Sequence, residues 1–548
     1  MTKPQKRWIL ALAALVVINL LLSPLTVRWD LTADRRYTIH RQSLAEIETL
    51  DSPATITIYL NGEMNSSFQR LKESTEYLIE ELHHHNHLIR LDDSDLEERD
   101  YTLLQQRGGS PILVHERARD GKTEQTTLWP YAQVAYKNKS MIVNLLQQNR
   151  GLSGEENLNR SIEALEYAFI QTLHTLRKDS VERVAFIEGH GEMGDTQVYD
   201  FQQSLRYYFQ VDRGSLGSRL AALDPYRAII IADPQAPFTE TDKYIIDQYI
   251  MRGGRVLWLL NGVRFSEDML TDNGVTPVIP LDLNLNDQLF RYGVRINPAL
   301  VQDMQCLNIP VDVSSDPQRP QYQPLPWTYA PLLLTNEQSP VTRNLMQVSC
   351  TMASLLDLVG EDSIAKTILL ATSNASSLTP TPAQVDLSDL RIDQERFRNA
   401  YMPVAAALEG KFPSFFTHRI IPDSLKSQRP MLTEGISRQI VVAAGSIAGN
   451  EWQDGQPLPA GFDRYSKTQF GNRDFLVQSV LWLTDDCDLL SLRQRQVSLR
   501  LINDKKAYAN RPFIQSVSII APILMLILIG SVVIVTRRFK YRTKITTA

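Results

Sequence analysis

VAFIE (Val184 to Glu188), AIIIA (Ala228 to Ala232) and VLWLL (Val256 to Leu260) are three short, nearly uninterrupted apolar runs. The segments between them, Gln197 to Phe209 and Glu240 to Met251, carry apolar residues at helical spacing. A strand that is apolar on consecutive positions is buried on both faces, and strands of that kind alternating with amphipathic helices predict a parallel sheet covered by helices on either side. The fold class expected is α/β, with a Rossmann-like, doubly wound sheet. Three strands are too few for such a layer. The apolar runs at Thr367 to Ala371, Val404 to Leu408 and Gln439 to Ala443 are expected to complete the same sheet, and Phe475 to Leu483 (FLVQSVLWL) is expected to add a last helix.

Working outward, residues 180–500 are assigned to this Rossmann-like part. It contains an extended excursion over 310–340, where Pro310, Pro317, Pro320, Pro324, Pro326, Pro331 and Pro340 fall. Residues 151–179 form a connecting helix whose stripe is Ile162, Leu165, Phe169, Leu173 and Leu176. Residues 51–150 form a smaller N-terminal α/β domain, which opens with the β-branched run Ala54 to Leu60 and continues with a helix from about Ser67 to His84. Residues 28–50 are a membrane-proximal linker.

Both ends of the chain read as membrane spans. Residues 8–27 are free of charge, as are 512–536 (PFIQSVSIIAPILMLILIGSVVIVT). About 20 such residues in a helix cross a hydrocarbon core of about 30 Å. Cationic tails lie beyond both outer ends, Lys3, Lys6 and Arg7 in 1–7 and Arg537, Arg538, Lys540, Arg542 and Lys544 in 537–548. Both termini are therefore expected to be cytoplasmic, with the chain in the inner (cytoplasmic) membrane and residues 28–511 periplasmic. A cleaved signal peptide is the rival for the first segment; the long apolar run and the lack of small residues at cleavage spacing favour an uncleaved anchor.

The formal net charge of −5 gives no concentrated positive face for nucleic acid, and no nucleic-acid partner is expected. Cys306, Cys350 and Cys487 are too few and too scattered for a disulfide framework or a zinc cluster, although Cys306 and Cys350 could pair in an oxidising compartment. Neither G-x-x-x-x-G-K-[ST] nor G-x-S-x-G occurs, and no glycine fingerprint for a dinucleotide follows a strand. No cofactor is expected. Gly253 and Gly254 sit where a helix C-cap turn belongs. The histidines at 83, 84, 85 and 87 point in different directions on a helix end and do not make one coordination sphere.

One cluster invites chemistry. Glu188-Gly-His190-Gly-Glu192 follows the first strand, at the sheet end where doubly wound folds place ligands. Glu188, His190 and Glu192 could hold a metal or act as general acid and base, which would make the chain a membrane-tethered metal-dependent or hydrolytic enzyme. Glycines at a strand exit equally serve a tight turn. The structural reading is preferred, with no catalytic residue assigned, and on it His190→Ala leaves folding and assembly nearly intact.

Seven segments together resemble one family: DLTADRRY at 30–37, IYLNGEMNSSFQRLKESTEYLIEEL at 58–82, SIEALEYAF at 161–169, VAFIEGHGE at 184–192, DKYIIDQYIMRGGRVLWLL at 242–260, PVAAALEGKFPSFF at 403–416 and NRDFLVQSVLWLTD at 472–485. They are similar to GldG, the gliding-motility ABC transporter component of Bacteroidetes-like bacteria. The resemblance implies a non-catalytic auxiliary subunit beside a GldF-type permease and a GldA-type ATPase, in a system associated with gliding motility and type 9 secretion. It further implies coupling of these to a periplasmic ligand or protein. No ligand and no catalytic residue carries over with it.

Overall fold

The computed structural model describes residues 38–484, with short internal interruptions, and residues 511–542, together with Leu492. The expected first span at 8–27, the tail 1–7, the linker up to residue 37, Cys487 and the end of the basic tail lie outside the described residues. The chain forms two compact units, Met1–Gln496 and Val497–Ala548, each taken by itself.

The first unit begins with α1 (Arg41–Glu48), β1 (Ala54–Ile58), α2 (Ser66–His85), β2 (Ile89–Asp92), β3 (Tyr131–Tyr136) and β4 (Lys139–Asn144). The strands make one sheet in the order β2-β1-β3-β4, with only β1 and β2 parallel. Ala132, Val134 and Tyr136 of β3 are buried in alternation with half-buried neighbours, as a sheet with one packed face requires. Asn65 starts α2 by accepting the backbone N–H groups of Ser67 and Phe68, and Phe68, Leu71, Ile79 and Leu82 are its buried stripe. These pack with α3 (Gly154–Arg177), the expected connecting helix, in which Leu165, Phe169, Leu173 and Leu176 are buried. Glu46 pins α1 to α3, lying 2.9 Å from His174 Nδ1 and 2.8 Å from Arg177 Nη2.

The large sheet starts at β5 (Arg183–Glu188), followed by α4 (Tyr199–Leu205), β6 (Gln210–Ser215), β7 (Ala228–Ala232), α5 (Glu240–Met251) and β8 (Arg255–Leu259). After α6 (Asn286–Tyr292) come β9 (Cys306–Asp312), β10 (Tyr322–Thr335), β11 (Ile364–Ala371), β12 (Pro403–Pro413), β13 (Glu434–Val442) and α7 (Asn472–Thr484). The strand order is β9-β10-β11-β12-β13-β8-β7-β5-β6. Five strands, β13, β8, β7, β5 and β6, are parallel. The other pairings are antiparallel, so the sheet is mixed and only its Val184 to Leu260 half and β13 follow the parallel expectation.

Why the apolar runs are continuous is now visible. Ile230, Leu257 and Leu259 face one core, with Phe201 of α4 and Phe475, Leu476 and Val480 of α7. Ile229, Ile231, Val256 and Trp258 face a second core, with Ile245, Ile246 and Tyr249 of α5 and Leu289 of α6. Each such side chain contributes roughly 1.5–3 kcal/mol by leaving water.

Where it is described, much of the proline-rich excursion is paired strand; Pro317 and Pro320 lie outside the described residues. Pro310 stands opposite Pro324, and Asn308 opposite Pro326, in the β9–β10 hairpin. Its β9 is the outermost strand, where a missing N–H leaves no inner ladder bond unmade. Trp327, Ala330 and Leu333 are buried beneath it. Cys306 and Cys350 are free thiols.

The second unit is α8 (Arg511–Arg542). Its stretch Gln515–Phe539 has a mean hydropathy of 2.8 and is long and apolar enough to cross a membrane. Pro522 lies inside the helix, a residue tolerated in membrane helices where it would disrupt a soluble one.

Candidate functional site

The carboxyl ends of the parallel strands bring the sequence-predicted residues to one place but do not make them one cluster. Glu188, the last residue of β5, turns towards β6, where Arg213 Nε donates to it at 2.7 Å. The same guanidinium donates through Nη2 to the Met193 carbonyl at 2.8 Å and lies 3.1 Å from Asp195. His190 and Glu192 turn the other way. Gly189 at φ 124° and Gly191 at φ 74° flank His190 and allow the reversal, since other residues rarely hold such angles.

His190 is buried, and its ring stacks on Phe238 with centroids 3.7 Å apart. Nδ1 lies 3.0 Å from Glu192 Oε1 and Nε2 lies 3.3 Å from Asp242 Oδ2. The backbone N–H of His190 donates to the other Glu192 oxygen at 2.7 Å. Burial alone lowers the affinity of the ring for its proton, but the hydrogen bonds and charges of Asp242 and Glu192 override it and push His190 up to about 9. The same contacts hold Asp242 below the usual carboxylate range, against a desolvation that raises it. The ring is thus an imidazolium clamped between two carboxylates, with both nitrogens carrying protons. A metal or a proton acceptor would have to compete with these two carboxylates for the ring nitrogens. Among the described residues, no group of three or more His, Cys, Asp or Glu is placed to hold a metal ion.

Asp242 was the partner that sequence reasoning missed. It is the N3 residue of α5 and forms a capping box with Thr239, donating its backbone N–H to Thr239 Oγ1 at 3.2 Å and accepting from that hydroxyl at 2.5 Å. The T-x-x-D spacing at 239–242 signals the helix start; the contact with His190, 52 positions earlier, has no local signal. His190, Glu192 and Asp242 together tie the exit of β5 to the start of α5. That burial changes the expectation that the histidine can be removed at little cost.

In open α/β sheets the crevice at a reversal of strand order receives the ligand. Here the reversal lies between β5 and β7, and the chain fills it. The carbonyl of His190 accepts the backbone N–H groups of both Gln235 and Ala236 at 2.8 Å, and Met193 N–H donates to the Ala232 carbonyl at 2.9 Å. Alongside, Asp233 holds φ 54° and accepts from Asn261 Nδ2 at 2.7 Å, while Asn261 Oδ1 accepts from Gly445 N–H at 2.8 Å. This second cluster joins the ends of β7, β8 and β13.

The other motifs fall as their chemistry suggests. Gly253, at φ 86°, and Gly254 close α5, donating their N–H groups to the carbonyls of Ile250 and Tyr249. His84 and His85 sit beside Glu80 and Glu81 at the end of α2, while His83 Nδ1 lies 2.6 Å from the Ile89 carbonyl.

Two family models match the chain. The model described as ABC-type uncharacterized transport system covers residues 182–479, and a domain of unknown function (DUF7088) covers residues 33–135. No curated protein matches. Among solved structures, one titled mmIFT52 N-terminal domain aligns at 14% identity and a TM-score of 0.33, covering 56% of this chain and 99% of its own, a likeness too slight to carry an argument.

Proposed function

Since the chain belongs to the family described as ABC-type uncharacterized transport system, whose model spans more than half of it, we propose that it is a non-catalytic auxiliary subunit anchored beside a permease and an ATPase. Family membership carries this reading. It is supported by α8, whose apolar stretch gives the chain a means of meeting a permease within the bilayer. On this proposal the complex is of the GldG kind, with a GldF-type permease and a GldA-type ATPase, as the seven segments quoted above suggest. The body between residues 28 and 511 stands on the periplasmic side, held by spans at 8–27 and 512–536. There the parallel strands serve as a Rossmann-like layer, and 51–150 serve as a smaller α/β domain that meets the extracytoplasmic ligand or protein. Glu188, His190 and Glu192 are assigned an architectural role, because both ring nitrogens of His190 are engaged by carboxylates and Glu188 is engaged by Arg213.

Affinity purification of the full chain from solubilised membranes tests the proposal. A permease and an ATPase should come with it in fixed ratio. Recovery of the chain alone, from membranes in which that permease and ATPase still purify as a pair, would overturn it.

A further inference from the structure

A cleft of about 780 Å³ opens between α6, the strand Val294–Asp303 and the loop that follows β12. Its volume lies within the range of small-molecule sites, roughly 300–1,000 Å³. Three guanidiniums line it, from Arg291, Arg295 and Arg419, against one carboxylate, Asp287. That carboxylate is already committed: Oδ1 accepts from Lys243 at 2.9 Å and Oδ2 from Arg419 at 3.1 Å. Arg295 spends two donors on Asp357, at 2.6 and 3.1 Å, and keeps the rest. The Arg291 guanidinium makes no hydrogen bond or ion pair with any described residue.

Two further groups point to a ligand. Thr417 lines the cleft, and its hydroxyl is buried just behind that surface with no hydrogen-bond partner among the described residues. An unpaired buried hydroxyl is costly, so a partner that reaches it gains accordingly. Phe290, across the cleft on the α6 wall, is 52% exposed. The opposite wall is rigid. Phe415 donates its N–H to Asp247 at 2.7 Å, meets Phe416 edge-on, and carries the Arg419 guanidinium 3.8 Å over its ring. Arg419 is therefore held in place before any ligand arrives, which spares binding that ordering cost. A second basic cleft differs, because Arg183 there is tied to Asp212 and both Arg252 and Arg429 to Asp224.

We propose that the α6 cleft binds a small organic oxyanion, a carboxylate or phosphate ester attached to a flat apolar body. Arg291 and Arg419 take the anionic group, Thr417 donates to it, and Phe290 covers the apolar part.

Calorimetric titration of the full chain in detergent tests this with four probes: phenyl phosphate, benzoate, inorganic phosphate and benzyl alcohol. Phenyl phosphate and benzoate should bind saturably and compete with each other. Inorganic phosphate should bind at least about tenfold more weakly, and benzyl alcohol not at all. Arg291→Gln should weaken phenyl phosphate about tenfold while leaving the melting temperature unchanged, since Arg291 holds nothing in the free protein. Thr417→Val should weaken binding several-fold with an equal or higher melting temperature, because the hydroxyl it removes is unpaired. No saturable binding of either aromatic anion, full affinity in Arg291→Gln, or equal affinity for inorganic phosphate or benzyl alcohol would each overturn the assignment.

Discussion

Replacing His190 by Gln removes a cation from between Glu192 and Asp242 while keeping a polar side chain of similar length. The folded protein holds the His190 proton to about pH 9, whereas the unfolded chain releases it near 6.5. Between those values the folded state binds more protons than the unfolded one, so stability falls as pH rises. The contribution is complete below pH 6.5 and is lost as the pH passes through 9. At about 1.4 kcal/mol per tenfold change in proton affinity, the total is about 3 kcal/mol. In His190→Gln the Glu192 carboxylate, whose side chain is only 2% exposed, loses its countercharge, and breaking such a pair costs about 3–5 kcal/mol. The backbone N–H of residue 190 still reaches Glu192, which places the expected loss at the lower end. Urea midpoints followed by tryptophan fluorescence, to which buried Trp258 of β8 contributes, would measure this at pH 6, 7.5 and 9. The variant should be clearly weaker at pH 6, and the gap should narrow towards pH 9. Parallel pH profiles, or a variant as stable as the parent at pH 6, would refute the account of the clamp.

Three other perturbations test further parts of the argument. Asp247 is buried and accepts from Ser414, the Phe415 N–H, Tyr292 and Gln248, so Asp247→Asn should cost about 1–3 kcal/mol in a melt, as at least one donor then faces an amide NH₂. Because burial pushes the Asp247 carboxyl up, the parent should also lose stability as pH rises above 3.8, and the variant should show a flatter profile there. A Cβ on Gly445 would lie 2.5 Å from Asp233 Oδ1, so Gly445→Ala should lower the melting temperature by the equivalent of about 1–3 kcal/mol; an unchanged melt would show that the Asp233 loop yields freely. A reporter active only outside the cytoplasm should work when inserted near Gln318 and fail when fused after Ala548, and the reverse pattern would invert the proposed topology.

The strands and helices that carry their own pattern were legible in the sequence. AIIIA and Glu240 to Met251 are found with the expected bounds, because each buries an unbroken run or stripe. Gln197 to Phe209 shrinks to Tyr199–Leu205, followed by turns that carry the chain to β6. The direction of β11 and β12 was not legible, because an apolar run looks the same whether its neighbour runs with it or against it. Nor was the hairpin of β9 and β10, where prolines mask the strand pattern. In the candidate site, Glu188, His190 and Glu192 drew notice as a motif, yet the partners that Glu188 and His190 meet across the fold, Arg213 and Asp242, lie on other elements. The α6 cleft draws on three segments, and none of them bears a motif.

The pairing of β8 with β13 has a consequence for how the chain is made. RVLWL, Arg255 to Leu259, stands between β7 and β13, and its second neighbour begins only at Glu434. During synthesis the ribosome therefore delivers β8 long before the strand that covers its edge, and an apolar backbone edge of that kind recruits other chains. Nascent chains ending before Glu434 should be the aggregation-prone species of this protein, and a holding chaperone would find its binding site on them at β8.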